Sequence, residues 1–186
     1  MTIYLHPIRV QWEEVNLPPI GKIKVFATDK GVCAISLGQE KEKEIERFRK
    51  RCPTPLDFSR GIGPGLPIVN TLESYVMGEL TSFSLPLDLL WGTPFERDVW
   101  RALQTIPYGQ CVSYQWVAIQ IGRPMATRAV GNAVGNNPIP IIIPCHRVIR
   151  KDGSLGGFSS GLSIKRALLK IEGCDKEIAE TPRART

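Results

Sequence analysis

The chain has 186 residues, 42% of them hydrophobic and 23% charged, which is enough to bury one large core or two small ones. No apolar run approaches the ~20 residues that cross a bilayer, and the first residues lack the basic-then-apolar layout of a secretory leader. A cytoplasmic protein is expected, nuclear if the source is eukaryotic. The formal charge of +6 suits a polyanionic partner, and five cysteines with no C-x-x-C pair argue against a disulfide framework or a zinc site.

The first half reads as strands with helices interspersed. Arg9 to Val15 is a strand. Lys22 to Thr28 and Val32 to Leu37 alternate apolar and polar residues around the turn chemistry of Asp29-Lys30-Gly31, which predicts a β-hairpin. Lys41 to Lys50 is charged, with Ile45 and Phe48 three apart, and suits a surface helix. Residues 51–68 are rich in proline and glycine and read as a loop. Ile68 to Met77 is helical in pattern, and Thr81 to Leu85 a short strand. The composition supports an N-terminal domain over 1–88, a second over 89–175 and a polar tail over 176–186.

The second unit opens on Thr93-Pro94-Phe95-Glu96, a strong helix start. Phe95, Val99, Ala102, Leu103 and Ile106 follow at helical spacing. Ser113 to Ile121 is a second helix, Gly122-Arg123-Pro124 breaks it, and a third runs from Met125 or Ala126 towards Asn136. Helix, glycine-containing turn, helix is the helix-turn-helix layout, though any helical hairpin shares it. Small residues crowd the third helix at Ala126, Ala129, Gly131, Ala133 and Gly135. Either tight helix packing or close approach to a nucleic-acid groove explains them.

Ile139 to Ile143 reads as a buried strand leading to Pro144-Cys145-His146-Arg147-Val148. A thiol attacks as thiolate, and a neighbouring imidazole or guanidinium lowers the cost of making one. Neighbours in an extended strand point to opposite faces, so a Cys145–His146 contact needs a bent backbone or a bridging water. A glycine- and serine-rich loop over 153–161 then feeds an amphipathic helix marked by Ile164, Ala167, Leu168 and Ile171. Glu172 closes that helix with the wrong sign for its dipole, which favours a specific partner, and Gly173 suits the C′ position.

Ser113-Tyr114, Arg128-Ala129-Val130-Gly131-Asn132-Ala133, Asn137-Pro138 and Pro144 to Val148 occur in one order. Together they resemble the signature of the O6-alkylguanine-DNA alkyltransferases, over roughly Thr93 to Gly173. The resemblance implies a ribonuclease H-like α/β N-terminal domain, a small antiparallel sheet with helices. It implies a mainly helical C-terminal domain with a winged-helix-like helix-turn-helix. It also implies that Cys145 accepts the alkyl group of O6-alkylguanine in double-stranded DNA, with O4-alkylthymine as a further candidate substrate. His146, reached through water, and Glu172 would form a relay to the thiol, and the Tyr114 hydroxyl would serve the leaving guanine at N3. Arg128 would fill the hole left by the flipped base, on a minor-groove surface with Ser113, Ala129 and Gly131. Val148, Asn137 and the loop of Gly156, Gly157, Phe158, Ser159 and Ser160 would shape the substrate pocket.

Phe158 and Ser160 depart from the family's usual tyrosine and glycine, and Ser160 is expected to narrow the pocket. A thioether is not readily hydrolysed and no second nucleophile is evident, so each molecule is expected to act once. No metal or cofactor is expected, and a monomer is. A lesion-binding module without transfer activity and a multiple-turnover cysteine hydrolase are the alternatives. The first has no use for Cys145, the second none for Arg128.

Overall fold

In the computed structural model, which describes residues 6–61 and 67–174, the chain divides at Thr93 into two units, 1–93 and 94–186. The polar tail expected over 176–186 lies outside the described residues.

The first unit is built on a four-stranded sheet ordered β3-β2-β1-β4. Strands β1 (Ile8–Leu17), β2 (Gly21–Thr28) and β3 (Gly31–Leu37) are antiparallel neighbours, and β4 (Leu56–Arg60) runs parallel to β1. The sheet is therefore mixed rather than purely antiparallel. β4 falls inside the segment read as loop, because flanking prolines and glycine mask a strand of five residues. The strand expected over 81–85 does not form. Pairing falls instead at Leu87, which bridges to Val32 beside a Pro86 that has no N–H to extend a ladder. Gly31 is required there, since a Cβ would lie 2.3 Å from the Pro86 carbonyl oxygen.

Helix α1 (Lys41–Arg51) lays Phe48 among Phe26, Phe58 and Trp91 at ring-centroid distances of 5.2, 5.4 and 4.9 Å. Such pairs add to the large apolar area each ring buries. The same face carries a buried carboxylate, Glu44, one turn before Phe48 and 3.2 Å from Arg47. Burial raises the pKa of Glu44, and the Arg47 charge works against that rise. Helix α2 (Ile68–Val76) buries Ile68, Leu72 and Tyr75.

The second unit packs α3 (Pro94–Gln104), α4 (Tyr114–Gln120) and α5 (Thr127–Gly135) together, with α6 (Leu162–Ile171) the last helix of the described residues. Trp100, fully buried on α3, donates its indole N–H to the Ala133 carbonyl at 2.8 Å and fixes α5 against α3. Packing thus accounts for Ala133, while Ala129 is exposed. The Ser113 hydroxyl caps α4 by accepting from the Trp116 N–H at 3.1 Å. The turn between α4 and α5 is held from inside. Gln115 donates to the Pro124 carbonyl and accepts from the Thr127 hydroxyl, both at 2.8 Å.

Two short strands, β5 (Val112–Ser113) and β6 (Val148–Ile149), pair in parallel and bring the Cys145 segment alongside the start of α4. The buried face of α6 is rotated from the expected one. Its buried residues are Lys165, Leu168 and Leu169, and Glu172 follows on the same stripe. Apolar residues alone pointed to Ile164 and Ala167, because a charged residue on the buried stripe breaks the pattern.

Candidate active site

The segment before Cys145 is not a strand. Ile139 to Ile143 closes a buried turn, with the Ile143 N–H donating to the Ile139 carbonyl at 2.9 Å. Ile141 sits at φ 76°, a left-handed conformation that costs a β-branched residue on the order of 1–3 kcal/mol. Asn137 holds the turn from within: its Nδ2 donates to the Ile143 carbonyl at 2.8 Å and its Oδ1 accepts from the Ile139 N–H at 3.0 Å. The apolar run signalled burial, and burial is common to strands and turns, so periodicity could not separate them.

Cys145, His146 and Arg147 then form one 3-10 turn. The backbone is bent where an extended strand was expected. Cys145 is 5% exposed and opens onto a cavity of about 670 Å³. Tyr114 of α4, Arg128 and Gly131 of α5, and Asn137 contribute to its wall. Gly156, Gly157, Phe158 and Ser159 close it from the loop, with Arg150 beside them. Ser113, Ala129, Val148 and Ser160 are not among its lining residues. Ser113 is the cap described above, Ala129 points outward on α5, Val148 is buried, and Ser160 is half-buried beside the wall. The narrowing expected from Ser160 therefore has no place on this wall, and Phe158 is the departure that faces the cavity.

Behind Cys145 lies a buried charge network. His146 is fully buried, with Nε2 2.8 Å from Glu172 Oε1. Burial pulls the imidazole below its ordinary value, against the upward pull of Glu172. A neutral ring beside a carboxylate donates from Nε2, so any proton exchange with the thiol side runs through Nδ1. Glu172 is held on both oxygens. Arg147 Nε donates to Oε2 at 2.8 Å, another guanidinium N–H donates to Oε1 at 3.0 Å, and the Gly109 N–H reaches Oε2 at 3.3 Å. Burial alone raises the Glu172 pKa, but the bonds and charges of His146 and Arg147 outweigh it and hold the carboxyl down at about 2.

Cys145 itself rests as a thiol. Burial raises its pKa, opposed by the Asn137 side chain, the Lys165 charge and the nearby backbone N–H groups. Low-pKa activation by a neighbouring cation does not prevail; the thiolate has to be made during attack. Lys165 is wholly buried, and its ammonium donates to the Val148 carbonyl at 2.6 Å and to the Leu155 carbonyl. Burial lowers its pKa to about 8, against the pull of Cys145 and Cys111. It remains mostly cationic at neutral pH.

The sequence and fold are shared with known proteins. The model described as the DNA binding domain of 6-O-methylguanine DNA methyltransferase matches residues 94–174, and the one for that enzyme's ribonuclease-like domain matches residues 18–89. A methylated-DNA–protein-cysteine methyltransferase of Methanosarcina barkeri is 44% identical over 154 residues, covering 83% of this chain and 92% of the relative. The chain belongs to the methylated-DNA–protein-cysteine methyltransferase family. Among solved structures, a Mycobacterium tuberculosis family member in complex with DNA superposes with a TM-score of 0.74 at 37% identity, covering 90% of this chain and 94% of that one. The O6-methylguanine-DNA methyltransferase of Pyrococcus kodakaraensis gives 0.68 at 27% identity, covering 88% and 99%.

Sequence reasoning passed over three residues of this methyltransferase's site: Arg147, Arg150 and Lys165. Arg147 reads from the sequence only as a neighbour of Cys145, and nothing local pairs it with Glu172, 25 residues on. Lys165 carried a readable signal, because it stands seven residues before Glu172 on one helical stripe. Arg150 had none, since its place on the wall depends on the turn that follows it.

Proposed function

We propose that Cys145 is the alkyl acceptor of a single-use DNA repair reaction, in which an O6-alkyl group of guanine in duplex DNA passes irreversibly to the protein. One observation carries the assignment: a cysteine that opens onto a cavity large enough to admit a flipped nucleotide, backed by a buried imidazole–carboxylate–guanidinium network. About 670 Å³ falls within the ~300–1,000 Å³ typical of ligand sites. The family's enzymes transfer methyl groups from methylated DNA to a protein cysteine, as their name states.

The thiol proton passes to His146, held in place by Glu172, as sulfur attacks the O6-bound carbon in line. The S–C bond forms, the C–O6 bond breaks, and its electron pair stays on the guanine. Tyr114 lines the same cavity and gives its phenolic proton to N3 of the departing base. A base inside a duplex is out of reach, so the nucleotide is flipped into the cavity. Arg128, exposed near the start of α5 and on the cavity rim, fills the gap in the stack. Ser113, Ala129 and Gly131 belong to the surface that meets the minor groove, and Val148, Ser160 and Asn137 support the pocket wall. The protein acts as a cytoplasmic monomer without a cofactor, and its lesion-bearing partner is double-stranded DNA.

The deciding experiment is intact mass before and after incubation with a duplex containing O6-methylguanine. A gain of one methyl group on the Cys145 peptide, limited to one per molecule, is expected. No gain, a gain on another residue or repeated turnover overturns the assignment. Arg128→Ala is expected to slow repair in duplex DNA about tenfold more than reaction with the free base O6-methylguanine, because only the duplex has a stack to refill. Equal losses on the two substrates would remove Arg128 from that role.

A further inference from the structure

Arg150 lines the cavity together with Tyr114, yet the transfer chemistry above gives it no task. Its backbone is fixed by a tight turn. The Arg150 N–H donates to the Ser154 carbonyl at 2.8 Å, and the Gly153 N–H returns to the Arg150 carbonyl at 3.0 Å. Asp152 locks the same turn through the Ser154 N–H at 3.0 Å and its hydroxyl at 2.7 Å.

The side chain leaving this turn runs past Gly156. A Cβ on Gly156 would lie 2.9 Å from the Tyr114 hydroxyl oxygen and 3.5 Å from Arg150 Cγ. Tyrosine hydroxyl and arginine stem thus flank one methyl-sized space, which a glycine at φ +68° keeps empty. The charged and titratable groups acting on the Tyr114 hydroxyl are Cys145 and Arg150. Those acting around Arg150 are Tyr114, Asp152 and Lys165. Burial makes the phenol a poorer acid, Cys145 adds to that, and Arg150 is the group that opposes it.

We propose that Arg150 is a positioning residue for alkyl transfer, acting through Tyr114. Its guanidinium stabilises the phenolate that Tyr114 becomes on protonating the departing guanine. This rests on the reading of Tyr114 as the proton donor. The phenol O–H breaks, the proton moves to N3, and the negative charge stays on the tyrosine oxygen beside a permanent cation. The phenolate then regains a proton from the His146 imidazolium by way of solvent, so the thiol proton ends on the base in net terms. A cation close to a developing charge acts most strongly in the transition state, where that charge is greatest.

The test is the single-turnover rate of Arg150→Met and Arg150→Lys at saturating duplex O6-methylguanine DNA, where a lost phosphate contact does not register. Methyl iodide serves as a second methyl donor, since iodide leaves without taking a proton. Arg150→Met is expected to react about tenfold more slowly with DNA and unchanged with methyl iodide, with Arg150→Lys recovering most of the loss. In a Tyr114→Phe background, Arg150→Met is expected to cost nothing further. An unchanged rate on DNA, equal slowing with both donors, or an additive loss in the Tyr114→Phe background overturns the proposal. If Tyr114→Phe itself reacts at the normal rate, the reading of Tyr114 falls and takes this one with it. If Tyr114→Phe is slow and Arg150→Met is not, the inference alone falls. Melting curves identify any variant that fails to fold, and Arg150→Gln then replaces Arg150→Met.

Discussion

Cys145→Ala is expected to abolish methyl transfer while leaving duplex binding intact. Cys145 is the cavity's thiol: Cys33, Cys52 and Cys174 are buried elsewhere, and half-buried Cys111 packs against Leu155, Leu169 and Cys174. None of these four appears on the cavity wall. Alanine keeps the backbone of the 3-10 turn and removes only a sulfur, so the groups that meet DNA stay in place. The resting thiol is neutral because burial raises its pKa. Its loss therefore removes no buried charge and leaves the Glu172 network paired. Mass spectrometry after exposure to O6-methylguanine DNA reads the first half of this expectation, and a gel-shift titration on the same duplex reads the second. Any methyl gain on the variant would place the acceptor elsewhere.

Glu172→Gln is the second large change, and it acts on stability and rate together. The carboxylate takes hydrogen bonds from His146, from two N–H groups of Arg147 and from Gly109. Glutamine keeps the shape but drops the charge, which leaves the buried guanidinium of Arg147 without its counter-ion. Breaking a buried pair in this way costs about 3 kcal/mol. The third guanidinium contact, to the Ile106 carbonyl at 2.5 Å, satisfies a donor but supplies no negative charge. The imidazole loses the negative charge that stabilises its protonated form, and transfer is expected to slow about a hundredfold or more.

The pH dependence follows in sign. Glu172 has a folded pKa of about 2 against an ordinary 4.5, so its stabilisation is fully present above 4.5 and is lost as pH falls through about 2. His146 is also held below its ordinary 6.5, so its own contribution begins to fade as pH drops under 6.5. Urea midpoints between pH 7 and pH 2 are expected to fall in both stages for the natural protein. In Glu172→Gln the lower stage should be flattened. An unaltered acid profile would show that the carboxylate is not the group under strain.

Much of this arrangement is legible in the residues, and the illegible part has a physical pattern. Thr93-Pro94 marks where α3 begins, Asp29-Lys30-Gly31 marks the hairpin, and Gly173 stands after α6 at φ +74°, as a C′ residue does. Each is a local conformational requirement, written in the residue that must meet it. His146 and Glu172, 26 residues apart, were paired by resemblance to a family pattern. No local signal in either residue encodes that contact. What stayed hidden is polar and buried. Glu44, Arg147 and Lys165 are charged side chains on interior faces, where periodicity reads them as solvent-facing. The turn at Ile139 to Ile143 stayed hidden for the opposite reason: every residue in it is apolar, and Pro140 is the one hint in composition that the run is bent.

Gln115 carries a consequence for how such a protein searches. A molecule that is consumed by one lesion still meets vast lengths of undamaged duplex first. The turn that Gln115 clamps is braced by its own hydrogen bonds, with no DNA needed to hold it. Contact with an intact site therefore spends little on ordering this turn. Scanning can stay fast and shallow. The energetic commitment is deferred to the moment a base leaves the stack. One uncharged side chain, next in sequence to Tyr114, thus helps decide how many wrong sites a single-use repairer can visit before it finds the right one.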